Sequence, residues 1–83
     1  MNTVRVLYFA GVRDLVGRAE EELALADGVR DLSGFVRCLL TARPELEGRL
    51  TGVRFAINET FADAGDPISA GDVVAVIPPV AGG

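Results

Sequence analysis

The end of this 83-residue chain, Ile77-Pro78-Pro79-Val80-Ala81-Gly82-Gly83, is where residue types and their order most suggest chemistry. Pro78 and Pro79 favour an extended, stiff backbone that cannot fold back into a helix. Gly82 and Gly83 have no Cβ, so they can thread a channel too narrow for other residues. Fully extended, Pro78 to Gly83 reaches roughly 20 Å. A terminus built in this way suits a partner that must reach the last carbonyl carbon. The alternative is a glycine-rich end with no role. A carboxylate is a poor electrophile until one of its oxygens becomes a leaving group, so chemistry at Gly83 requires an activating partner.

The rest of the composition narrows the choice. The chain has no His, which removes the commonest general base and metal ligand. Its single Cys38 excludes an iron–sulfur cluster held by four cysteines and any internal disulfide, and points to a reducing, cytoplasmic setting. No metal site and no bound cofactor is expected. The net charge of −4, without a basic cluster, argues against nucleic acid and for a partner with a basic groove. No apolar run approaches the ~20 residues of a membrane helix, and the N-terminus lacks a signal-peptide pattern. Chemistry is left to carboxylates, Arg, Tyr8, Cys38 or the chain terminus.

The elements that must carry this tail read as one small domain, residues 1–77, followed by the tail, 78–83. VRVLYFA, Val4 to Ala10, is rich in β-branched and aromatic residues and reads as a strand. Val4, Val6 and Tyr8 share one face, and Arg5, Leu7 and Phe9 the other. Gly11 to Val16 suits one helical turn, ending at Gly17. Glu20 to Leu25 suits a second strand, with Leu23 and Leu25 on one face. Val29 to Ala42 has helical spacing at Val29, Leu32, Val36, Leu39 and Leu40, with Asp27 or Gly28 as N-cap. Gly34 then falls mid-helix, at a cost of about 1 kcal/mol relative to Ala, and Pro44 stops the helix. Leu46 to Leu50 suits a further turn. Val53, Phe55 and Ile57 alternate with Arg54, Ala56 and Asn58, as in a half-buried strand. Asn58-Glu59 suggests a reversal, and Phe61-Ala62 a short strand. Pro67 to Asp72 is turn-rich. The continuous run VVAVI, Val73 to Ile77, suggests a central strand covered on both faces.

Pattern alone supports a small α+β domain with one helix on a mixed sheet. VRFAINETFADAGDPISAGDVVAVIPPVAGG, Val53 to Gly83, and VRVLYFAGVRDLVG, Val4 to Gly17, carry the resemblance further. Both stretches resemble the small subunits of molybdopterin synthase, the MoaD-type sulfur carriers. The Pro-Pro-Val-small-Gly-Gly ending and the Gly71-Asp72 turn before an apolar strand are specific to them. The likeness is weakest from Arg18 to Thr51, where the family varies in length.

The resemblance implies a ubiquitin-like β-grasp fold with a protruding C-terminal tail. It implies that Gly83 is adenylated with ATP by a ubiquitin-activating-type adenylyltransferase and converted to a thiocarboxylate. The tail, Pro78, Pro79, Val80, Ala81, Gly82 and Gly83, would then enter the large synthase subunit. Sulfur would pass there to a pterin precursor, giving the dithiolene, within a heterotetramer whose large subunits form the central dimer. By motif position Phe9, Phe61 and Ile77 match the family's hydrophobic contact surface. On this reading the chain is not an enzyme on its own.

Other residues have plainer readings. Cys38 falls among helical core positions and reads as a small hydrophobe. Arg13-Asp14 reads as a solvated turn or a contact for the activating enzyme. Glu20-Glu21-Glu22 reads as a solvated charge run or a contact for a basic partner. Phe61 is either core or part of an exposed docking patch. All the basic residues are Arg, so an activated Gly83 would find no lysine amine on its own chain. A sulfur carrier for thiamine, cysteine or another metabolite, a protein modifier joined through Gly83, and a plain interaction module remain as alternatives.

Overall fold

In the computed structural model, which describes residues 2–79, the alternating pattern of the first strand sets the inside of the domain. β1 (Thr3–Tyr8) buries Val4, Val6 and Tyr8 and leaves Arg5 exposed. It stops at Tyr8 rather than Ala10, because Phe9 takes the cap position of α1 (Ala10–Val16). α1 closes at Gly17 in the left-handed region, φ 85°, where glycine has no Cβ to clash. β2 (Glu20–Ala24) pairs antiparallel with β1, placing Val4 opposite Leu23 and Val6 opposite Glu21.

The main helix, α2 (Leu32–Ala42), begins later than its apolar spacing suggests. Asp31, not Asp27 or Gly28, is the N-cap: its carboxylate accepts the Gly34 N–H at 2.9 Å and the Ser33 hydroxyl at 2.8 Å. These donors hold the Asp31 carboxyl below the usual range, the Gly34 N–H most of all. The preceding residues are drawn into tertiary bonds instead. Ile68 N–H donates to the Arg30 carbonyl and Leu32 N–H to that of Asp66, both at 3.0 Å. Gly34 therefore sits in the first turn rather than mid-helix. A Cβ there would lie 3.0 Å from Val29 Cγ1, so glycine lets Val29 pack closely. The buried face of α2 is Leu32, Phe35 and Leu39, with Val36 and Leu40 half-buried. Phe35, not in the expected stripe, is fully buried and meets Phe55 edge to face, centroids 6.5 Å apart.

A 3-10 turn, Pro44–Leu46, buries Leu46 completely. β3 (Arg54–Ile57), β4 (Thr60–Ala62) and β5 (Val73–Ile77) complete a five-stranded sheet in the order β2-β1-β5-β3-β4. β1 and β5 run parallel; the other pairs are antiparallel. This is the expected α+β arrangement, a mixed sheet on one main helix. Ile68, inside the connection to β5, adds an anchor that its turn-rich surroundings conceal.

The acidic run on β2 divides between two environments. Glu20 and Glu22 are exposed and pair with Arg5, each at 3.2 Å, and such surface pairs contribute little. Glu21 turns inward, its side chain only 8% exposed. It accepts the Tyr8 hydroxyl at 2.5 Å and Arg43 Nε at 2.7 Å, and a second Arg43 bond through Nη2. Glu21 is thus a structural tie between β1, β2 and the end of α2, not a solvated charge. Arg43 chiefly holds its carboxyl below the ordinary range. Burial, reinforced by Glu21, pushes the Tyr8 phenol well above its own.

Glu21→Ala leaves Arg43 and Tyr8 without their acceptor, and its expected cost is about 2–4 kcal/mol, read by urea unfolding. Because the folded carboxyl is depressed, its contribution is fully present above the unfolded value, near ~4.3. It is lost as pH falls through the folded value. Glu21→Gln should therefore flatten this part of the acid-side loss of stability. An unchanged acid limb in Glu21→Gln would remove Glu21 as its source.

Candidate functional site

Across the outer face of the sheet, register lines up one row of residues. Leu7 lies opposite Ala75, Ala75 opposite Ala56, and Ala56 opposite Phe61. Two alanines between bulky neighbours make a trough with Ala75 and Ala56 as its floor. Leu7, Phe9, Phe61 and Ile77 form its walls, Glu59 and Val73 complete the lining, and the volume is about 310 Å³. Phe9 is 44% exposed and Phe61 56%, whereas single exposed apolar residues of this size are usually scattered rather than gathered.

The trough corrects the expectation for β5. Val74 and Val76 are fully buried beneath α2 and its neighbours, but Val73, Ala75 and Ile77 are only half-buried. The domain has one helical layer, so the second apolar face of this strand has no cover within the described residues.

Phe61 is held in place rather than left to swing. The Arg54 guanidinium carbon lies 4.0 Å from its ring centroid, a cation–π contact. Arg54 reaches it because β3 and β4 are joined by the two-residue reversal Asn58-Glu59, with φ of 50° and 71°. Asn58 ties that reversal to β5: its Oδ1 accepts the Val73 N–H at 2.9 Å and its Nδ2 donates to Asp72 at 3.0 Å. Asp72 also accepts the Ser69 N–H at 2.8 Å. It shapes the turn before β5, as expected. Glu59 places a carboxylate on the trough rim, in a left-handed conformation that glycine adopts more easily.

The parallel pairing of β1 with β5 decides where the tail leaves. Tyr8 is opposite Val76, so Phe9 and Ile77 follow at the same edge and the tail root emerges beside the trough. Pro78 is half-buried and Pro79 exposed. Val80, Ala81, Gly82 and Gly83 lie outside the described residues. Of the residues singled out in the sequence, Phe9, Phe61 and Ile77 are brought together. Arg13 and Asp14 are exposed on α1 and form no part of the trough.

Leu7, Ala56, Ala75, Arg54 and Glu59 were not singled out as site residues. The reversal expected at Asn58-Glu59, taken further as a two-residue loop between Ile57 and Thr60, fixes the Ala56–Phe61 register and brings out Arg54, Ala56 and Glu59. Cys38 is half-buried rather than core. It lines a separate hollow of about 960 Å³ between β2 and α2. Among the described residues no three His, Cys, Asp or Glu side chains gather as a metal site. No described helix is long and apolar enough to cross a membrane.

Known proteins are similar to this chain in architecture and in sequence. The ThiS family profile matches residues 6–83. The molybdopterin synthase sulfur carrier subunit of Mycobacterium tuberculosis is 34% identical over 83 residues, covering 100% of both chains. SAMP1 of Haloferax volcanii, a small archaeal modifier protein, superposes with a TM-score of 0.86 at 26% identity, covering 98% of this chain and 99% of its own. Subunit 1 or 2 of the Helicobacter pylori molybdopterin-converting factor, solved as a complex of the two, gives a TM-score of 0.66 at 26% identity, covering 98% of this chain and 99% of that one.

Proposed function

This chain belongs to the ThiS family, and from that membership we propose that it is the sulfur carrier subunit of a molybdopterin synthase. The observation that carries the reading is the uncovered apolar trough beside the root of the Pro78–Gly83 tail. A large subunit that covers Phe9, Phe61 and Ile77 receives the tail at the same edge. The name of the Mycobacterium tuberculosis relative favours the molybdopterin pathway over thiamine or cysteine synthesis.

In the chemistry proposed here, a ubiquitin-activating-type adenylyltransferase transfers AMP from ATP to the Gly83 carboxylate and releases pyrophosphate. A sulfur donor then displaces AMP, leaving a thiocarboxylate. Its sulfur is a soft nucleophile with no neighbouring side chain on Gly82 or Gly83 to compete. The carrier supplies the tether and the docking face; the large subunit supplies acid, base and the pterin pocket. This division explains how a chain without His serves a sulfur transfer. The proposed assembly is a heterotetramer in the cytoplasm.

Co-expression with a molybdopterin synthase large subunit and an activating enzyme tests the proposal. The expected result is a stable complex and an intact carrier mass in which one oxygen is replaced by sulfur. No complex, together with no dithiolene formed from the pterin precursor, would overturn it. The modifier reading is the second, favoured by the likeness to the small archaeal modifier proteins. It requires Gly83-to-lysine isopeptides on other proteins, and mass spectrometry of a cell lysate distinguishes the two.

A further inference from the structure

We propose that Gly52 is a positioning residue for sulfur transfer: it seats Pro79, and so aims the tail. The inference deepens the sulfur-carrier reading and rests on it. β3 and β5 are antiparallel with Arg54 opposite Ile77, and continuing that register places Gly52 opposite Pro79. Proline has no N–H, so the ladder cannot continue as hydrogen bonds. The Pro79 ring instead faces the Gly52 turn. A Cβ built on Gly52 would lie 3.4 Å from Pro79 Cγ and 3.8 Å from its Cβ and Cδ, so the proline ring lies against the turn across three atoms.

The other described glycines show that this contact is not a general feature of turns. Gly17, Gly28, Gly48 and Gly71 have positive φ like Gly52, at 77°, but a Cβ on any of them would meet nothing within 4 Å. Those glycines answer only to backbone conformation. Among the described glycines, Gly52 alone combines a left-handed backbone with a packed neighbour, and that neighbour is the tail root. The turn also precedes β3 directly, with Val53 N–H donating to the Leu50 carbonyl at 3.1 Å. The frame of the sheet is therefore carried out to Pro79. Displacing its ring turns the chain where the tail begins, and a shift of about 1 Å at reacting atoms costs about 100-fold in rate.

Two substitutions separate aim from turn strain, because the two effects rank them oppositely. Asn tolerates the left-handed region better than Ala, so turn strain alone makes Gly52→Ala the worse variant. The Ala methyl fits at ordinary contact distance from the ring, whereas Asn carries further atoms beyond that Cβ, so loss of aim makes Gly52→Asn the worse. The experiment is single-turnover sulfur transfer from thiocarboxylated carrier at saturating large subunit, with melting temperature and Kd for the large subunit measured alongside.

Gly52→Asn should lower the rate about tenfold or more with little change in Kd, while Gly52→Ala melts lower yet keeps most of the rate. In a Pro79→Gly background, where no ring remains to displace, Gly52→Asn should cost little further. A parental rate in Gly52→Asn overturns the inference. So does a loss that follows melting temperature, or one undiminished in Pro79→Gly. A parent chain that transfers no sulfur overturns the carrier reading and this inference together; unchanged variants beside an active parent overturn this inference alone.

Discussion

Deleting Gly83 should abolish sulfur transfer and leave the fold intact. Every buried residue of the described core lies between Val4 and Val76, and Gly83 has no side chain to remove. The expected stability change is within about 0.5 kcal/mol, typical of substitutions remote from core and caps. The chemical effect is of another order. On the proposed mechanism, activation requires a carboxylate at one distance from the docking face, and deletion shortens the tether by a full residue, roughly 3.5 Å. That displacement exceeds the tolerance of a near-attack geometry severalfold. Appending one residue after Gly83 should fail equally, because the activated carbonyl then overshoots. Circular dichroism melting and an in-vitro molybdopterin assay read the two halves separately. Retained transfer after the deletion would end the sulfur-carrier reading.

The second large effect is expected at Phe61. Its ring is 56% exposed on the trough wall beneath Arg54, so Phe61→Asp removes little core packing. The new carboxylate also sits near an existing guanidinium. Binding should suffer far more. An aromatic anchor at an interface commonly costs 2 kcal/mol or more on truncation, about 30-fold in affinity. A carboxylate desolvated under the large subunit does at least as much harm. Calorimetric titration with the large subunit, beside a thermal melt, measures both quantities. A collapsed melting temperature with unchanged affinity of the folded fraction would make Phe61 a core residue and remove it from the docking face.

Together these variants separate reach from docking. Loss of Gly83 leaves the trough, so the complex should still form without transferring sulfur. Phe61→Asp leaves the reactive end in place, so transfer should recover at high concentrations of large subunit. Neither pattern is expected of a plain interaction module, for which the tail is dispensable.

Local chemistry made part of this protein legible in the sequence. Val4, Val6 and Tyr8 alternate with Arg5 and Leu7, and period-two placement sends the two sets to opposite faces whatever their partners are. Gly17 ends α1 because a left-handed backbone there is a property of the residue itself. The stiffness of Pro78-Pro79 and the bare backbone of Gly82-Gly83 are likewise intrinsic to their residue types. Other features depend on residues distant in the chain. Glu21 lies in a run of like charges, yet Arg43 and Tyr8 make it internal. The α2 start moves to Leu32 because the loop from Ala64 to Ile68 bonds the backbone before and at its first turn. The apolar run of β5 asks for two covers, and only the count of layers shows that one is missing among the described residues. Local propensity acts through each residue's own backbone and nearest neighbours, whereas burial, pairing and the trough require surfaces that only chain closure brings together.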